Sequence, residues 1–123
     1  VKIPGNTVLA ADEIIKEIQI PAPPAGAKSA FLKFAIRKSI DFPIVNCAAV
    51  IGGGSASIVL NAVAGKPRKV TAAEEAIAGK TINEANAAAA AEEAADGSLS
   101  IGKNKYMIQL AKAMVKKAIL ACA

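Results

Sequence analysis

Two thiols, Cys47 and Cys122, are the first places to look for chemistry in this 123-residue chain, which has no histidine. They lie too far apart for a CxxC redox pair, and no imidazole is present to complete a zinc site. The reading is two reduced, partly buried thiols of a cytoplasmic protein, with no metal ligand set and no covalent catalyst in the chain. The run Gly52-Gly53-Gly54-Ser55 invites comparison with a phosphate-cradling loop. Such a loop leads into a helix and carries a Lys-Ser/Thr pair; here a β-rich run follows, so the glycines predict a hairpin turn.

The remaining chemical signal is charge. The net charge is +5, and five lysines with no acid fall between Lys103 and Ala123. One helix therefore carries most of the excess, as a solvated face or a surface that docks on an acidic neighbour. With three Phe, one Tyr and no Trp, the chain lacks the aromatic platforms of base-stacking modules, and a nucleic-acid partner is not expected. No apolar stretch approaches the roughly 20 residues of a membrane-spanning helix. The length suits one domain over residues 1–123. The chain opens at Val1 rather than Met, and a piece excised from a longer protein is favoured over a processed one.

Residues 1–24 read as a lead-in, where Ile14, Ile15, Ile18 and Ile20 form a β-branched run that Pro21-Ala22-Pro23-Pro24 closes as a connector. Alternation from Ser29 predicts a strand with Phe31, Lys33, Ala35 and Arg37 on one face and Leu32, Phe34, Ile36 and Lys38 on the other. Further strands are expected from Ile44 to Ile51 and from Ala56 to Val63. Thr71-x-x-Glu74 and Thr81-x-x-Glu84 read as capping boxes of two helices, the first ending at Gly79 and the second near Gly97. A third helix starts near Lys103. Met107, Leu110, Ala111, Met114, Val115 and Ala118 fall on its apolar face, with Lys105, Gln109, Lys112 and Lys116 opposite. The methionines follow core spacing and are filler. Strands first and helices last predict an α+β fold: an antiparallel sheet of three to four strands with about three helices on one face.

Four segments in collinear order, "GNTVLAADEIIKEIQIPAP", "SAFLKFAIRKSIDFPIV", "AGKPRKVTAAEEAIAGKTI" and "KNKYMIQLAKAMVKKAIL", cover nearly the whole chain. Together they resemble the C-terminal domain of the FAD-binding subunit of the xanthine dehydrogenase and carbon monoxide dehydrogenase family of molybdenum hydroxylases. The resemblance implies an electron-transfer enzyme. Substrate is hydroxylated at a molybdenum–pterin centre, and electrons pass through [2Fe–2S] clusters to FAD and on to a final acceptor. It implies a molybdenum-containing large subunit and an iron–sulfur small subunit as partners. It also implies that residues 1–24 lead in from flavin-binding lobes that carry the pyrophosphate loops, and that the isolated piece is inactive and holds no FAD.

Within this lobe the resemblance puts a lysine near the flavin from the strand matching "FLKFAIRK", which is Lys33. A cation there stabilises negative charge that develops on reduction. It also puts an apolar residue of the "EIIKEI" segment, Ile15, against the flavin ring. Two departures stand out. Many members carry Asp-x-Arg shortly before the last helix, where this chain has "GSLSIGKNKY", and the Gly52–Ser55 hairpin looks shortened. The last helix resembles the xanthine-dehydrogenase type and makes purine the first substrate expectation, with carbon monoxide and aromatic acyl-CoA open. The competing reading from the residues alone is a stand-alone basic interaction or dimerisation module without cofactor.

Overall fold

In the computed structural model, which describes residues 7–123, the chain forms a four-stranded sheet in the order β1-β2-β3-β4. The strands are β1 (Lys28–Phe34), β2 (Val45–Gly52), β3 (Ser55–Asn61) and β4 (Arg68–Lys69), and every neighbouring pair is antiparallel. Helices α1 (Thr71–Ile77), α2 (Glu84–Glu93) and α3 (Lys105–Leu120) follow. The α+β fold expected from the sequence is the one observed.

Period-two alternation decides which sheet face is covered. On β2, Val45, Cys47 and Ala49 are buried, and on β3, Ile58 and Leu60. They meet Val115, Ala118 and Ile119 of α3 and Ala73 and Ile77 of α1 in one core. Helix α3 lies over β1 and β2, α1 lies over β3, and α2 packs between the two helices. The alanines explain that wedge. Ala87, Ala90 and Ala91 of α2 are all buried, and their single methyl groups let its neighbours approach closely.

The β2–β3 hairpin turns through Gly53 and Gly54, between the paired Gly52 and Ser55. Both turn glycines have positive φ, 60° and 77°, as a type I′ turn requires. Gly52 is constrained differently: a Cβ there would sit 2.4 Å from the Cα of Ala27. Helix α1 ends at Ile77, with Ala78 as its C-cap, just before Gly79 with φ 70°, as its sequence suggests.

Several boundaries differ from expectation. Strand β1 stops at Phe34 rather than running on to Lys38, because the chain turns away and returns at Ile44, whose N–H donates to the Phe34 carbonyl at 2.8 Å. Strand β3 ends at Asn61, followed by Ala62 in a left-handed conformation at φ 66°. Neither capping box forms. Helix α1 has no side-chain cap; the carboxylate of Glu74 turns to the sheet edge, accepting from the Ile58 N–H at 2.7 Å. Helix α2 is capped by Asn83, whose Oδ1 accepts from the Asn86 N–H at 2.8 Å, and Thr81 contributes its carbonyl to Asn86 Nδ2. Asparagine at the cap meets an orphan donor of the first turn, the Asn86 N–H in place of the Glu84 N–H that a Thr81 cap would have met.

Candidate functional site

The sheet face away from the helices has no cover among the described residues. Cross-strand partners share a face, so the register gives its rows directly. Lys33, Asn46 and Asn61 form a polar row, and Phe31, Ala48 and Val59 form an apolar one beside it. Phe31 is 64% exposed, an unusual state for an aromatic side chain on a sheet.

Lys33 stands at the end of β1 where the chain leaves the sheet. Its Nζ donates to the Asp41 carbonyl at 2.5 Å. Asp41 organises the whole loop. Its carboxylate accepts from Arg37 Nε and Nη2, each at 3.1 Å, and from the backbone N–H groups of Arg37 and Phe42 at 3.2 and 3.0 Å. The fork of two parallel bonds is the strong form of an arginine–carboxylate pair. The guanidinium holds the Asp41 carboxyl below the ordinary carboxylate range, and the carboxylate raises Arg37 in turn. The knot presents two cations, Lys33 and Arg37, against one carboxylate. Around it Ile36, Ile40 and Phe42 are exposed.

Ile15 lies in the extended lead-in, 64% exposed and outside any strand or helix. No hydrogen bond or ion pair joins residues 7–23 to the sheet among the described residues. The structure therefore does not bring Ile15 and Lys33 together through any polar contact. The Arg37–Asp41 pair had a legible signal, opposite charges four residues apart, but the expected strand hid it by assigning the two faces through Lys38.

The thiols belong to the core. Both Cys47 and Cys122 are free and buried, and Cys122 Sγ lies 3.9 Å from the Ala49 carbonyl. Burial pushes Cys47 up to about 12 and raises Cys122 as well, which leaves both protonated and poor nucleophiles at neutral pH. Among the described residues no group of three or more potential metal ligands gathers. No helix there is long and apolar enough to cross a membrane.

The lysines of α3 correct the expectation of one solvated face. Lys112 pairs with Glu92, and Lys116 with Glu84, each at 2.5 Å. Their acidic neighbour is α2 of the same chain, and Lys105 and Lys117 remain exposed.

The chain is thus an antiparallel sheet with helices on one face and the Lys33–Arg37–Asp41 knot at the edge of the other. The chain belongs to the CO dehydrogenase flavoprotein C-terminal domain family, whose model matches residues 30–122. Solved structures agree. Quinoline 2-oxidoreductase from Pseudomonas putida 86 is 34% identical with a TM-score of 0.71, over 84% of this chain and 38% of that one. Carbon monoxide dehydrogenase from Hydrogenophaga pseudoflava, in a form lacking the Mo-pyranopterin moiety of its molybdenum cofactor, is 32% identical with a TM-score of 0.69, covering 84% and 39%. Reconstituted CO dehydrogenase from Oligotropha carboxidovorans is 28% identical with a TM-score of 0.71, again covering 84% and 39%. The chain thus spans about two-fifths of the chains it matches. A comparison with curated proteins gave no match.

Proposed function

We propose that this chain is the C-terminal lobe of the flavin subunit of a molybdenum hydroxylase, closing one side of the FAD site. The observation that carries the reading is the family match over residues 30–122. FAD, when bound, accepts electrons from [2Fe–2S] clusters and passes them on. The clusters and the molybdenum–pterin centre belong to a small and a large partner subunit. The parent enzyme works in the cytoplasm on a purine-like substrate, in keeping with the xanthine-dehydrogenase character of the last helix. Residues 1–24 connect to the flavin-binding lobes.

The residues present fit the flank of a flavin site, not a whole one. Lys33 and Arg37 leave a net positive charge at the edge of the bare face, with exposed apolar side chains beside it. A cation there attracts an electron-rich ring and favours its reduced form. Ile15 supplies an apolar contact to the ring once the lead-in is laid against it. The one glycine-rich run is a hairpin between strands, so no strand-to-helix loop in the described residues cradles a pyrophosphate. The chain by itself therefore lacks the main anchoring of FAD and is inactive alone.

Titration of the 123-residue chain with FAD, followed by flavin fluorescence, is expected to show no saturable binding, while the complete subunit retains flavin through purification. Saturable binding to the chain tighter than about 1 μM would contradict this division of labour.

A further inference from the structure

A cleft lies away from Lys33, on the opposite face and at the opposite edge of the sheet. It opens between the end of β3, the β3–β4 loop and the start of α3, with a volume of about 190 Å³. Its apolar lining includes Leu60, Val63, Leu99, Met107 and Ile108, and Arg68 is its one charged member. An enclosed apolar cavity of ~150 Å³ admits a benzene ring, so the space here is of a size for one.

Arg68 is aimed by the register. It pairs with Leu60 across the β3–β4 ladder, and cross-strand partners project from the same face. Leu60 is buried toward the helices, so Arg68 rises over the same floor. Among the described residues it has no ion-pair partner.

The opposite wall is electropositive for a separate reason. Helix α3 begins there with no acidic residue in its first turn and no side-chain cap. Asn104 Oδ1 is turned backwards, accepting from Ser100 Oγ at 2.8 Å and from the Ile101 N–H at 3.1 Å. The start of a long helix thus keeps its partial positive charge toward this end of the cleft.

We propose that this cleft binds a small monocarboxylic acid with a compact apolar body, of the benzoate class. The carboxylate meets the Arg68 guanidinium at the rim, and the ring or branched chain lies on Leu60 and Met107. The space accommodates a body of about one ring, and one guanidinium matches one carboxylate in a fork. The site is independent of the flavin-flanking face.

The test uses the 123-residue chain, methyl-labelled, with benzoate as the probe and the methyl resonances of Leu60, Met107 and Ile108 as the readout. Saturable shifts are expected with Kd on the order of 1–10 mM, the range for so few heavy atoms. Benzyl alcohol, which keeps the ring without the charge, and acetate, which keeps the charge without the ring, should each bind about 10-fold more weakly. Arg68 is exposed, so Arg68→Gln leaves the fold intact, as a melting curve checks, and should weaken benzoate about 10-fold. Arg68→Lys should retain part of the affinity, as a point charge without the fork. Absence of saturable shifts overturns the proposal. So does equal binding of benzyl alcohol, or benzoate binding that ignores Arg68→Gln.

Discussion

At the scale of single residues, Glu74 shows how a local pattern can be outbid. Its spacing from Thr71 suits a capping box, yet its carboxylate reaches across to the edge of β3. Strand β4 is only Arg68 and Lys69, so beyond it the Ile58 N–H has no strand partner on that side, and Glu74 Oε1 supplies one at 2.7 Å. Lys69 Nζ, 3.5 Å from Glu74 Oε2, offsets the buried charge. Glu74→Ala leaves a buried donor unmet and is expected to cost about 1–3 kcal/mol in urea unfolding. Glu74→Gln, which keeps an acceptor, should cost less. Equal losses would mean that packing, not the hydrogen bond, is what Glu74 provides.

Cys47 makes a second residue-scale prediction, this one about pH. Burial raises its thiol from an ordinary 9.0 to about 12. Below pH 9 folded and unfolded chains both keep the proton, and nothing is lost. Between pH 9 and 12 the unfolded chain releases it first, so stability falls as pH rises through that window. Cys122, raised by burial too, adds in the same direction. Urea midpoints measured from pH 8 to 10.5 should therefore drop, and Cys47→Ala, less stable at pH 8, should drop less steeply. A parallel pair of curves would show that another group governs the alkaline limb.

At the scale of elements, the helix phase of α3 was legible because a stripe at 3.6-residue spacing has one solution. Ala111, Met114, Val115 and Ala118 are buried as that spacing requires, while Met107 and Leu110 at the open end are half-buried. The order of strands and helices and the glycine hairpin were legible for similar reasons. Three things were not. Strand β1 ends early because Asp41 gathers Lys33 and Arg37 into a loop, which alternation does not register. The capping residue of α2 is Asn83 rather than Thr81, two good caps being close neighbours. The lysines of α3 meet α2 only in three dimensions. Those pairs are partly exposed, so Lys112→Gln with Lys116→Gln should lower stability by about 0–1 kcal/mol for each pair, and less in high salt. A loss independent of salt would indicate that the lysine stems, not their charges, support the α2–α3 packing.

For the whole molecule, the helices hide one sheet face and leave the other bare, with Phe31, Lys33 and the loop hydrophobics turned outward. Under the proposed function, that free face is the one turned toward the flavin-binding lobes. Lys33 was singled out in the sequence only through a resemblance to a family motif, since no spacing marks it as special. The described structure adds that it stands on the bare face, tied to Asp41. The most direct measurement is the flavin midpoint potential of the complete subunit carrying Lys33→Met, beside its flavin content. Removing the cation should make the flavin harder to reduce or loosen its hold, by about 1–2 kcal/mol, the size of a charge-assisted contact. An unchanged potential together with unchanged flavin content would contradict the proposed placement of Lys33 beside the cofactor.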